Sequence, residues 1–96
     1  MIQSFGNAAA DDFFHGRTSA AARRIPADLR SRLAVKLDML NAAAELRDLA
    51  AMPGNRLERL SGNREGSHSI RLNDQWRIVF RWTERGPVDV EWTDYH

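Results

Sequence analysis

Cysteine is absent from the 96 residues, so no disulfide can staple the chain and no thiolate can ligate a metal or attack a substrate. Lysine is almost absent too: thirteen of the fourteen basic residues are arginine and Lys36 stands alone. No apolar run approaches the roughly 18 residues that a membrane-spanning helix needs. The N-terminus has no basic region followed by an apolar stretch, so neither a membrane protein nor a secreted one is expected. An excess of one charge is also missing. Fourteen basic against thirteen acidic residues leave +1, which as a sum argues against a strongly electrostatic nucleic-acid binder. There is no Walker-type glycine loop, dinucleotide fingerprint or nucleophile elbow, which disfavours nucleotide-cofactor enzymes. His15, His68 and His96 lack short ligand spacing, so no metal and no cofactor is expected.

What is present fits one globular domain, residues 1–96, with 43% hydrophobic and 28% charged residues. A domain of this size buries only about two-thirds of its unfolded surface. Doing so without disulfides points to the cytoplasm. The arginine bias has two readings, a GC-rich coding sequence or a use for guanidinium forks that grip phosphates and carboxylates bidentately.

Hydrophobic periodicity divides the chain into helices first and strands afterwards. Residues 1–5 alternate enough for a short strand, and Asn7 can cap a helical turn ending at Gly16. Pro26 opens a helix of about 16 to 18 residues. Its face is Leu29, Leu33, Leu37 and Leu40, and a second helical piece over 43–51 stops before Pro53 and Gly54. Beyond Gly54 the period becomes two. Strands are expected over 56–60, 67–72, 75–82 and 88–92, with Trp76, Ile78, Phe80 and Trp82 on one face of the third and Arg77, Val79 and Arg81 on the other. In the last strand Val88, Val90 and Trp92 are expected to face the core, with Asp89 and Glu91 outward. The fold class is α+β, the leucine face packing on the apolar face of a mainly antiparallel sheet of four or five strands.

Any site must then use the opposite sheet face, the loops or the C-terminal end. Residues 56–81 hold six arginines (Arg56, Arg59, Arg64, Arg71, Arg77, Arg81) against Glu58, Glu65 and Asp74. Residues 82–96 reverse the balance, with Arg85 against Glu84, Asp89, Glu91 and Asp94. These charges either pair across strands, as Arg81 with Asp89, or line a groove for phosphate. Asp94, Tyr95 and His96 are either an ordinary strand end or a set of proton carriers beside Arg77. In the second case they suit RNA cleavage without a metal. A base takes the 2′-hydroxyl proton, the oxygen attacks phosphorus, a cation stabilises the phosphorane and an acid protonates the leaving oxygen.

The segments Gly54-Asn55-Arg56-Leu57-Glu58, Leu60-Ser61-Gly62-Asn63-Arg64-Glu65-Gly66 and Ser69-Ile70-Arg71-Leu72-Asn73-Asp74-Gln75-Trp76-Arg77-Ile78, followed by Asp94-Tyr95-His96, resemble the HigB-type toxins of the RelE superfamily. The resemblance covers nearly the whole chain. It implies a RelE-like fold with two N-terminal helices on the sheet, and ribosome-dependent mRNA cleavage restrained by a cognate helix-turn-helix antitoxin. Operator DNA would be contacted only through that antitoxin. By position, Arg77 matches the family's phosphate-stabilising arginine, and Asp94, Tyr95 and His96 its C-terminal acid, aromatic and histidine. Arg64, with Arg56 and Arg71, is expected to contact RNA. One departure stands out: some members carry a histidine and a lysine where this chain has Glu58 and Ser61, which implies slower cleavage. Two further readings stay open under the same resemblance, a gyrase-inhibiting toxin and a weakened toxin acting mainly as an antitoxin-binding co-repressor.

Overall fold

The computed structural model describes residues 1–94; Tyr95 and His96 lie outside the described residues. Four helical segments precede four strands: α1 Ala8–Phe14, α2 Ala20–Arg23, α3 Arg30–Ala42, α4 Leu46–Ala50, β1 Glu58–Arg59, β2 Ser67–Arg71, β3 Trp76–Thr83 and β4 Gly86–Asp94. The strands form one antiparallel sheet in the order β1-β2-β3-β4, so the architecture is the expected α+β.

Local chemistry explains the helix boundaries. Asn7 caps α1, its side-chain oxygen accepting from the Ala10 N–H at 3.2 Å, and its amide donates to the Trp92 carbonyl at 2.9 Å, tying α1 to β4. Ser19 caps α2, a single turn inside a segment whose small, basic composition carries no helical pattern. Arg17 grips Asp11 and Asp12 at 3.0 and 2.9 Å, and hydrogen bonds from Ser19 and Arg17 hold the Asp12 carboxyl below its ordinary pKa. After Pro26 a 3₁₀ turn over Ala27–Leu29 leads into α3. The expected second helix is shorter than 43–51. The backbone turns extended at Ala43, and a capping box between Glu45 and Asp48 restarts it as α4.

Leu29, Leu33, Leu37 and Leu40 are 3%, 0%, 1% and 0% exposed, so the leucine face is the packing face. It meets Ile70, Ile78, Phe80, Val90 and Trp92 of the sheet. Each fully buried aliphatic side chain contributes about 1.5–3 kcal/mol of transfer free energy, before chain entropy is subtracted.

Two expectations about the sheet are corrected. Residues 1–5 lie beside β4, with the Gln3 N–H on the Pro87 carbonyl and the Gly6 N–H on the Val90 carbonyl, but they make only a single parallel bridge, Phe5 with Val90. The cause is a β-bulge in β4. Val79 pairs with Glu91 but Arg81 pairs with Val88, so Asp89 and Val90 together oppose Phe80, and Asp89 takes a left-handed φ of 53°. The Asp89 N–H leaves the ladder for Ser4 Oγ at 2.9 Å. The bulge also reverses the facing of everything before it. Val88 shares the face of Arg81 and is half-buried, while Pro87, opposite Trp82, is buried. Arg81 accordingly stands across from Val88 instead of Asp89.

Candidate functional site

Register partners in a sheet share a face. The face turned away from α3 therefore carries Glu58 and Ser69 on adjacent strands, Arg71, Arg77 and Thr93 in one row, and Val79 with Glu91 in the next. Arg77 is its centre. The residue is 6% exposed, an unusual place for a guanidinium, and the burial is sustained by hydrogen bonding. Nε donates to Ser69 Oγ at 2.7 Å, Nη2 donates to the Arg56 carbonyl at 2.6 Å, and Nη1 lies 3.8 Å from Glu58 Oε1.

Each partner is held by its own local structure. Arg56 has a positive φ of 44°, a conformation that non-glycine residues adopt at a cost of about 1–3 kcal/mol, and it aims its carbonyl at Arg77. The strain is sustained because Asn55 before it is 1% exposed and anchored: its amide donates to the Leu49 carbonyl at 3.0 Å, and its carbonyl accepts from the Arg71 N–H at 2.6 Å. Ser69 is wholly buried in β2, between Glu58 of β1 and Val79 of β3. Gly66 closes the loop between β1 and β2 at φ +89°, a left-handed conformation that favours glycine.

The other expected residues divide. Arg71 is the cross-strand neighbour of Arg77 and forms an ion pair with Asp74. Arg64, in a 3₁₀ turn of the same loop, forms an ion pair with Glu91. Arg56 contributes its carbonyl to the site. Asp94 stands opposite Trp76, one position along from Arg77, so strand alternation sets it on the Trp76 side of the sheet. There its carboxylate accepts from Gln75 Nε2 at 3.1 Å, beside the stacked rings of Trp76 and Trp92, whose centroids are 3.8 Å apart. Tyr95 and His96 lie outside the described residues.

Three contributors stand outside the expected site residues. Ser69 was legible, since Ser67, Ser69 and Arg71 alternate along one face. Glu58 was singled out only as a departure from a family pattern, and it is the carboxylate beside Arg77. Lys36 carried no signal. Its ammonium reaches from α3 to the Arg71 carbonyl at 2.7 Å and the Gly54 carbonyl at 3.2 Å. Burial, with the positive charges of Arg32, Arg71 and Arg77, pushes its pKa down. Four cations, Lys36 with Arg32, Arg71 and Arg77, thus gather near enough to one another for their charges to interact. Among the described residues no three histidine or acidic side chains gather as a metal site would require.

This arrangement can hold an anion. A guanidinium that is desolvated and fixed at two of its nitrogens interacts with charge more strongly than a solvated one, and needs no reorganisation when that charge develops. The fold itself is one already known among solved structures. The YoeB-YefM complex from Staphylococcus aureus contains a chain that superimposes with a TM-score of 0.61 at 14% identity, covering 100% of this chain and 98% of that one. Sequence narrows the class. Residues 3–96 match the HigB-like toxin family, described as RelE-like toxins of the type II toxin-antitoxin system HigB, and the chain belongs to that family. Among curated relatives it is 45% identical to Toxin HigB-1 of Vibrio cholerae serotype O1 over 62 residues, 65% of each chain. It is 37% identical to an uncharacterized protein of Haemophilus influenzae over 73 residues, 76% of this chain and 71% of that one. The match thus spans just under two-thirds of the length of Toxin HigB-1.

Proposed function

We propose that this chain is the toxin of a toxin-antitoxin pair and cuts mRNA on the ribosome, in the cytoplasm. A cognate helix-turn-helix antitoxin restrains it and alone contacts operator DNA. The observation that carries this reading is the buried Arg77 guanidinium, fixed by Ser69 and Arg56 beside the exposed carboxylate of Glu58. In the cleavage step a base removes the 2′-hydroxyl proton and the freed oxygen attacks the adjacent phosphorus. The bond to the 5′-oxygen then breaks as an acid protonates it, leaving a 2′,3′-cyclic phosphate and a 5′-hydroxyl. Arg77 stabilises the phosphorane, and no metal ion takes part. Tyr95 and His96 are the proton-transfer and nucleotide-positioning groups, Asp94, on the other face of the sheet, serves ribosomal positioning, and Arg56, Arg64 and Arg71 contact the RNA backbone. Glu58 stands where a base is needed, and a carboxylate there, with Ser61 beside the turn, makes the enzyme slow. A chain of 96 residues has little room to enclose a substrate, which fits an enzyme that relies on the ribosome to hold its mRNA.

Mapping the 5′ ends of cellular mRNA after induction tests the reading. Codon-phased cuts with the wild type and none with Arg77→Ala are expected. Intact mRNA accompanied by broken DNA would replace the nuclease with a gyrase poison.

A further inference from the structure

The leucine face is not the only apolar face of α3. Val35, Met39 and Ala42 recur at spacings of four and three, a second stripe that the sheet does not cover. With Leu49 and Met52 from α4 and the residue after it, this stripe lines a groove of about 430 Å³. Val35 and Met52 are 58% and 41% exposed, and with Met1 they are the large apolar side chains that the described residues leave in water. A second hollow adjoins it along α3 and shares Val35, but its other lining residues, Asp28, Ser31, Arg32 and Lys36, are polar. The groove lies in the helical layer, on the far side of the sheet from Arg77.

We propose that this groove is the docking site for an amphipathic helix of the antitoxin, with basic side chains flanking its apolar face. The inference rests on the reading that this chain works against an antitoxin, and it adds where that antitoxin sits. Charge selects the occupant. The groove's charged rim is Asp38 and Asp48, while the neighbouring cations Arg32 and Lys36 are turned to the Leu72, Arg71 and Gly54 carbonyls. Two carboxylates beside an apolar floor repel RNA phosphates and favour lysine or arginine at the ends of an apolar helix. Ridges at spacings of three and four are the complement that another helix packs against. A partner seated there leaves the Arg77 face uncovered. It would restrain the toxin by bulk that keeps it out of the ribosome, without filling the site.

Calorimetric titration of the purified chain with its cognate antitoxin, alongside cleavage of ribosome-bound mRNA without antitoxin, tests this. Val35→Glu and Met52→Glu, both at exposed positions, should each weaken the complex at least tenfold with cleavage unchanged. Asp38→Asn should weaken it about threefold and flatten its salt dependence. Unchanged antitoxin affinity in both glutamate variants, with the wild type binding, would overturn the docking site and leave the toxin reading intact. A wild type that binds no antitoxin would remove the reading itself. Loss of self-association in Met52→Glu with antitoxin affinity retained would assign the groove to a second copy, and loss of cleavage instead would assign it to the ribosome; either overturns the proposal.

Discussion

One residue on each face of the sheet is buried to nearly the same degree, by opposite means. Trp92, on the helical side, and Arg77, on the other, are 8% and 6% exposed. The first packs among the leucines and stacks on Trp76; the second is held by the strained carbonyl of Arg56, just before β1, and by the Ser69 hydroxyl in β2. One face exchanges water for dispersion and hydrophobic burial, which tolerates any apolar filling of similar volume. The other exchanges water for hydrogen bonds, which fix a charge in one orientation and tolerate little. Stability resides mostly in the first and chemistry in the second.

The largest effects should separate the two. Phe80→Ala is expected to cost about 3–5 kcal/mol in urea unfolding, because a wholly buried aromatic leaves a cavity. Arg77→Ala is expected to cost less in the same melt, yet to lower ribosome-bound mRNA cleavage on the order of 100-fold or more. Arg77→Lys should recover little of it, since a point charge cannot reach both Ser69 and Arg56. Equal stability losses at the two positions, with cleavage retained in Arg77→Ala, would erase the contrast.

Next in size is Glu58→His, which places a group with a pKa near neutrality beside Arg77. Single-turnover cleavage is expected to rise on the order of tenfold. An unchanged or lower rate would show that the carboxylate does not limit the reaction. Arg64→Gln should remove one phosphate contact, lowering the slope of log affinity for ribosome-bound mRNA against log salt by about 0.7. An unaltered slope would mean that Arg64 serves Glu91 alone.

The smallest effect concerns His68, which stacks on Phe80 with its Nδ1 buried and without a hydrogen-bond partner among the described residues. Burial, and then the charge of Arg59, push its pKa below 6.5. The unfolded chain therefore takes up the proton first. The stabilisation is complete above pH 6.5 and is lost as pH falls through the lower folded value. His68→Phe, which keeps the stack, should lose less melting temperature than the wild type between pH 7 and roughly 5, a window set by this linkage. Parallel curves would assign the acid sensitivity elsewhere.

Elements whose signal is local were legible in the residues. The leucine spacing of α3, the alternation of β3, the order of helices before strands and the cluster of arginines after Gly54 each follow from neighbours within a few positions. The strand expected over 56–60 shrinks to Glu58–Arg59, because Asn55 and Arg56 leave the ladder to serve Arg71 and Arg77. The facing of Val88 was lost for a similar reason. Period two predicts facing only while each residue opposes one partner, and the bulge at Asp89 is a property of two strands together.

By itself the sequence determined the fold class, the buried leucine face and the family, because periodicity and motif order need no knowledge of what lies across the chain. Only the tertiary structure decided how Arg77 is held. Its partners Ser69 and Arg56 are 8 and 21 residues away in sequence, and a guanidinium stays buried only where folding brings acceptors to it. The charge sum concealed the same fact. A net +1 describes the composition, whereas the field that an anion meets depends on which arginines, and which lysine, the fold gathers at one end of the sheet.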